Sequence, residues 1–256
     1  MPIKFLTDYP ALFISNLKAL VIADLHLGLE HELYKNGIII SPQAEKFRKT
    51  IDHLIKLTKA KTLIILGDIK HEVPGISHRE EKEIPKLFNS LIEKVQVICC
   101  KGNHDTYLEE ILPKEVKLYS SRGFRIGKYG FFHGHAWPSK ELIECDYLFM
   151  SHIHPAIEFR DKFGYRAMEQ VWVKSNLDKE LVKKKYKIKK CGKLEAIILP
   201  VFNRLLGGVA LNSTAEKDLI GPLLANKVFN LDNSKVYMLD GTYLGIMKIL
   251  KNKRLI

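Results

Sequence analysis

The chain is 256 residues long and 46% apolar, enough to bury one large core in a layered α/β domain, and no stretch approaches the roughly 18 apolar residues of a membrane span. Its formal charge of +12 turns attention to polyanionic partners. Asp8 and Pro10 interrupt the N-terminal segment where a secretory leader needs an apolar run, and the four cysteines (Cys99, Cys100, Cys145, Cys191) lack CxxC spacing. Reduced thiols and a cytoplasmic location are therefore expected, with no disulfide framework.

Apolar runs alternate with helical patterns along the chain. The run from Lys18 to Ile22 reads as a strand and ends at Asp24-Leu-His26. From Ser41-Pro42 onward, Phe47, Ile51, Leu54 and Ile55 recur at helical spacing, with Ser41 expected as N-cap and Pro42 at the first helical position. Thr62 to Leu66 leads to Gly67-Asp68. A second helix carries Ile84, Leu87, Phe88, Leu91 and Ile92 on one stripe. Pro85 places its start near Ile84, with Ser77 to Glu83 a separate turn or short helix. Val95 to Cys100 leads to Gly102-Asn103-His104-Asp105, Gly130 to Phe132 to His133-Gly-His135, and Tyr147 to Met150 to His152-Ile-His154. Polar residues just past the carboxyl ends of strands are where open α/β sheets place ligands, so the five motifs are expected to converge.

After about residue 155 the pattern is β-rich. Ala196 to Leu199 and Val209 to Leu211, around Gly207-Gly208, read as strands of a second sheet. Val236 to Leu239, Asp240-Gly241 and Tyr243 to Leu250 read as a hairpin with a primed turn. Between Lys179 and Lys193 lies a basic excursion in which Lys183, Lys184, Lys185, Lys187, Lys189, Lys190 and Lys193 surround Tyr186. It reads either as an arm tracking a phosphate backbone or as a solvated loop of the lysine-rich kind common in heat-adapted proteins. With no internal repeat and no linker, one domain is expected over residues 1–256, with a motif-bearing half to about 155 and a second-sheet half beyond.

The motif residues suit a pair of metal ions held by hard oxygen and imidazole ligands. Asp24 and His26 can reach one metal if the backbone leaves strand geometry after Ala23. Asp68 is the natural bridge, since one carboxylate can hold two cations, and Asn103 offers a neutral carbonyl oxygen. His152 and His154 flank Ile153, and on extended backbone their side chains point the same way and serve neighbouring metals. Singly, each motif has a bland reading as a turn or a packing histidine. As an ordered set at strand ends they do not.

That set resembles the calcineurin-like metallophosphoesterases, whose pattern runs Asp-x-His, Gly-Asp, Gly-Asn-His-Asp/Glu, His, Gly-His-x-His. Ala23 to Gly28, Gly67 to His71, Ser151 to Ala156 and the stretch from Leu199 to Asn203 with Gly207-Gly208 are similar to the archaeal group related to SbcD-type nucleases and to bacterial DNA-ligase-associated phosphodiesterases. The resemblance implies an α/β fold, a four-layer α-β-β-α sandwich with two mixed sheets. It also implies two divalent cations, manganese foremost with zinc, iron, nickel and cobalt as alternatives. One is assigned to Asp24, His26, Asp68 and His154, the other to Asp68, Asn103, His133 and His152. A hydroxide shared by the metals would attack phosphorus, with His104 protonating the leaving oxygen and Asp105 orienting its ring. Ser151 departs from the pattern, which has glycine there.

His71 and His135 are candidate substrate contacts. In their bland readings His71 is a solvated turn residue, and His135 holds its loop by hydrogen bonding. The expected activity is hydrolysis of phosphodiesters, with nucleic acid or nucleotides as substrate class. A small-molecule phosphatase or pyrophosphatase and a binding module that retains the fold are the alternatives. No membrane partner is expected, and the oligomeric state does not follow from these residues.

Overall fold

The computed structural model describes residues 2–215 and 218–251. The first sheet runs β1 (Ile3–Phe5), β2 (Leu12–Ile14), β3 (Ala19–Ile22), β4 (Thr62–Leu66), β5 (Gln96–Cys100) and β6 (Lys117–Tyr119), side by side in that order. β1 to β3 pair antiparallel, and β3 to β6 pair parallel. Parallel neighbours need a crossover. It is supplied by α1 (Leu29–Lys35) and α2 (Gln43–Thr58) between β3 and β4, and by α3 (His78–Ile92) between β4 and β5.

Two helix starts differ from the sequence expectation. Pro42 is itself the cap of α2, with an extended ψ of 130°. Ser41 therefore sits one residue too early to cap, and its carbonyl accepts from the Gln43 side chain at 2.7 Å. Helix α3 begins seven residues before Pro85 and runs through it. Ser77 and Glu80 form a capping box at its start, and Ile84, Leu87, Phe88 and Leu91 are buried on one face. Together these outweigh the roughly 3 kcal/mol that an interior proline costs a helix.

The second sheet contains β7 (Phe124–Ile126), β8 (Tyr129–Phe131), β9 (Tyr147–Met150), β10 (Pro155–Arg160), β11 (Arg166–Asn176), β12 (Glu195–Ile198) and β13 (Val209–Ala210), in the spatial order β13-β10-β11-β12-β9-β8-β7. β14 (Lys235–Met238) also pairs with β11, and β15 (Tyr243–Ile246) with β14. The sheet is mixed: β8, β9 and β12 are parallel neighbours, whereas β11 is antiparallel to β10, β12 and β14. Because this sheet already starts at Phe124, residue 155 does not divide the sheets. His133 and His152 follow β8 and β9 of the second one, and His154 immediately precedes β10.

The hairpin is present but wider than a two-residue primed turn. Gly241 alone of the Asp-Gly pair has a positive φ, 93°. The second arm stops at Ile246, where α6 (Met247–Lys251) begins.

The sheets pack face to face. Leu12, Val21, Ile64 and Ile98 of the first meet Phe131, Phe149, Trp172 and Ile197 of the second in one buried cluster. α2 and α3 cover the outer face of the first sheet through Phe47, Ile51, Leu54, Leu87 and Phe88. α4 (Lys179–Tyr186), α5 (Pro222–Ala225) and α6 cover that of the second through Val182, Leu223, Leu224 and Met247. This is the four-layer α-β-β-α arrangement. All four cysteines are free thiols. No described helix is long and apolar enough to cross a membrane.

Candidate metal centre

Each motif begins where its strand stops. Asp24 (φ 55°), His26 (41°), Asp68 (47°), His152 (74°) and His154 (44°) all adopt left-handed backbone conformations. Such a conformation costs a residue with a Cβ roughly 1–2 kcal/mol and persists only where its surroundings enforce it. Here main-chain bonds do so: Asp24 N–H donates to Gly67 O at 3.1 Å, His26 N–H to Asp68 O at 2.8 Å, and Ser151 N–H to His133 O at 2.8 Å. His152 and His154 therefore do not share a face of an extended strand, as the sequence suggested. Their rings belong to different clusters.

One cluster brings together Asp24, His26 and His154, the other Asp68, His133 and His152, with the ligand atoms in each all within 4.8 Å of one another. The Asp68 carboxylate stands between them. Its Oδ2 is 3.4 Å from His26 Nε2 and 3.3 Å from His133 Nε2. Asn103 joins the second cluster, its Oδ1 3.2 Å from His133 Nε2. His133 Nδ1 donates to Leu66 O at 2.7 Å, so in the neutral ring Nε2 is the bare nitrogen.

The donors fit cations. Asp24 Oδ1, His26 Nε2 and His154 Nε2 are buried without hydrogen-bond partners, and an orphaned buried polar atom costs about 1–3 kcal/mol. His26 Nε2 faces Asp68 Oδ2 at 3.4 Å and His154 Nε2 faces Asp24 Oδ2 at 3.6 Å, oxygen lone pairs that a cation between them would reconcile. Burial drives His26 down to about 2 and His152 to about 3, with nearby histidines adding to the shift, so both rings are neutral as ligation requires. Burial raises the Asp24 carboxyl. Burial would also raise Asp68, but facing His133 and His26, together with the amide of His104, hold it well below the usual carboxylate range.

His104 lies beside this pair, its ring 4.8 Å from that of His26. The ring is oriented by an acceptor the sequence did not suggest: Nδ1 is 2.7 Å from the carbonyl of His71. Asp105 instead takes the main-chain amides of Ile69 (2.9 Å), Lys70 (3.2 Å) and Gly102 (2.7 Å), tying the loop after β5 to the loop after β4. Burial, with the Asp68 charge adding, raises Asp105 to about 6 against those donors. His71 forms a third cluster with His26 and His104. His135 packs its ring 5.1 Å from His133 and 5.8 Å from His152, and burial lowers it to about 4.

Further residues shape the centre without being legible as site residues. The Ser151 hydroxyl donates to Asp24 Oδ2, a bond that the glycine of the family pattern cannot make. Asn203 is buried, and its side-chain amide donates to Leu25 O at 2.9 Å while Phe202 N–H donates to Ala23 O at 2.9 Å, so the stretch after β12 clamps the Asp24 turn. Glu80, the capping-box glutamate of α3, accepts from the amides of His71 and Glu72, each at 2.8 Å. A Cβ at Gly67 (φ 78°) would lie 2.6 Å from His133 Nδ1. Gly67 and Ser151 stand in or beside a motif, Asn203 in the 199–203 stretch, and Glu80 three residues after Ser77 at capping-box spacing, but none of these positions says what the side chain touches.

The calcineurin-like phosphoesterase family pattern matches residues 17–190, a span that includes all five motifs. The chain belongs to the calcineurin-like phosphoesterases. Family membership makes it a metal-dependent phosphoester hydrolase, and the two clusters could hold the divalent ions such enzymes use. Among solved structures, the chain is similar to the Pseudomonas putida nuclease MPE at 17% identity and a TM-score of 0.55, covering 90% of this chain and 89% of that one, which shows a shared fold. It is also similar to Yfce, a phosphoesterase from E. coli, at 20% identity and a TM-score of 0.37, covering 56% and 73%. No protein of curated function matches.

Proposed function

We propose that this calcineurin-like phosphoesterase is a dinuclear, manganese-preferring phosphodiesterase acting on nucleic acid or nucleotides, a single-domain cytoplasmic protein of the SbcD-related group. The observation that carries the dinuclear reading is Asp68, whose Oδ2 stands between His26 and His133 at nearly equal distances. When bound, a pair of divalent cations supplies Lewis acidity and activates water. Asp24, His26, Asp68 and His154 would hold one, and Asp68, Asn103, His133 and His152 the other. His104, pinned at Nδ1, keeps Nε2 for protonating a leaving alkoxide. Asp105 fixes the loops carrying Asp68 and His104 in register, and His71 and His135 flank the pair as substrate contacts. Faster hydrolysis of bis-p-nitrophenyl phosphate than of p-nitrophenyl phosphate is the expected diagnostic. The reverse order would favour a phosphomonoesterase.

The lysine-rich excursion supports the nucleic-acid part. Its first half is helix α4, capped by Asp178, and it docks on the loop that carries His133 and His135. The Tyr186 hydroxyl donates to Pro138 O at 2.6 Å, and Lys185 Nζ lies 4.5 Å from the centroid of the Trp137 ring. Lys183 pairs with Glu180 and Lys193 with Glu195, whereas Lys184, Lys187, Lys189 and Lys190 are exposed. Replacing these four with glutamine is expected to weaken single-stranded DNA binding and to flatten the slope of log K against log salt by about 3, at roughly 0.7 per phosphate contact. Hydrolysis of the small diester should be unchanged. An unaltered slope, measured by fluorescence anisotropy, would remove the lysines from the binding surface.

A further inference from the structure

Glu32 lies on α1, outside every motif, and its Oε2 stands 2.6 Å from His71 Nε2. The other nitrogen of that ring, Nδ1, is 3.2 Å from His26 Nδ1. His26 Nε2 in turn is 3.4 Å from Asp68 Oδ2. Along this row of groups the protons are not free to sit anywhere. An ionised carboxylate only accepts, so His71 Nε2 carries a hydrogen. In the neutral ring His71 Nδ1 is then bare, and the short approach of the two Nδ1 atoms requires His26 to donate. His26 Nε2 is left as a lone pair, the form that a metal takes. It is also an atom buried without a hydrogen-bond partner.

We infer that Glu32 is a positioning residue: acting through His71, it fixes the His26 tautomer that offers Nε2 to a metal shared with Asp68. The inference rests on the metal-centre reading above. Without Glu32 the row can run in reverse. His71 Nδ1–H then donates to His26, whose hydrogen moves to Nε2, facing Asp68 where the cation would lie. A carboxylate behind a ligating histidine is a recurrent way of orienting the ring, and here the carboxylate is one imidazole further out. The Glu32 side chain is 59% exposed, so its ion pair adds little to folding, and its replacement should leave the fold intact.

Long-range proton–nitrogen spectra of histidine-labelled, metal-free protein read the tautomers directly. Wild type is expected to show His26 protonated at Nδ1, and Glu32→Ala to populate the Nε2–H form. In calorimetric zinc titrations, Glu32→Ala should weaken one binding event about 10- to 100-fold, the usual effect of removing an outer partner of a ligand. Glu32→Gln, whose amide oxygen can accept the same hydrogen, should restore most of that loss. An unchanged His26 tautomer in Glu32→Ala, with unchanged zinc affinity, would overturn the inference. So would a general loosening, seen as a lower melting temperature and weakening of both binding events with no tautomer change. If wild type bound no zinc, the metal-centre reading would fall, while the spectra would still decide for or against Glu32.

Discussion

Asp68→Asn is expected to lower kcat/KM for bis-p-nitrophenyl phosphate by at least about 100-fold, the scale of loss when one electrostatic stabiliser is removed from an active site. Asparagine keeps the shape of the side chain and can still accept the His104 amide that Asp68 Oδ1 holds at 2.9 Å, so the loops should stay in place. What changes is the group between the clusters. Oδ2 faces His26 Nε2 at 3.4 Å and His133 Nε2 at 3.3 Å, and a neutral amide there cannot neutralise two cations. Metal binding should report the same defect without any turnover. A ligand at 100 times its Kd stabilises the folded state by about 2.7 kcal/mol, and that manganese-induced rise in wild-type stability should largely vanish in the variant. Equal stabilisation of both proteins would show that Asp68 is not a shared ligand.

Gly102→Ala should be nearly as damaging although it adds one methyl group and removes no ligand. A Cβ on Gly102 would lie 2.0 Å from Asp68 Oδ1 and 2.3 Å from Asp68 N, far inside contact distance. The glycine conformation is not the difficulty, since its φ is not positive. The difficulty is that the loops after β4 and β5 run against one another, held by Asp105 across the gap. Something must shift, and overpacking of this kind costs about 1–3 kcal/mol. The group in the way is the carboxylate that stands between the two clusters, and a misplacement of about 1 Å at a reacting centre can cost about 100-fold in rate. Gly207→Ala is the control, because a Cβ there meets nothing within 4 Å. If Gly102→Ala retained wild-type activity and melting temperature, the close approach of the two loops would be wrong.

The sequence was most legible where strand ends carry chemistry. β3, β4, β5, β8 and β9 were each visible as short apolar runs, and the residues just past them do converge, because parallel strands deliver their carboxyl ends to one side. The backbone that delivers them was less legible. Nothing in His152-Ile-His154 announces two left-handed residues, and the extended backbone that a period-2 reading assumes is not the one that carries the two rings. Long-range polar partners were not legible either. Asp105 follows His104 in sequence, which made it the obvious orienting acid, yet the chain folds so that the His71 carbonyl reaches the ring first. The stretch from Leu199 to Asn203 stands out in the sequence as a likeness to relatives, but that likeness does not say that the Asn203 side chain holds the Asp24 turn through Leu25 O. The start of α3 is hidden behind Pro85, whose penalty argues for a later start, while the Ser77–Glu80 capping box fixes the earlier one.

The most direct test of the central claim is a manganese titration of metal-stripped protein, followed through hydrolysis of bis-p-nitrophenyl phosphate by wild type and by Asn103→Ala. Asn103 is exposed beside the second cluster, so its loss should spare the fold while removing the neutral oxygen proposed as a ligand there. Wild-type activity is expected to appear as manganese reaches two equivalents per chain, and the variant to stay inactive across the titration. Wild type and variant equally inert with manganese, nickel, cobalt and zinc would contradict a two-metal phosphodiesterase at this site.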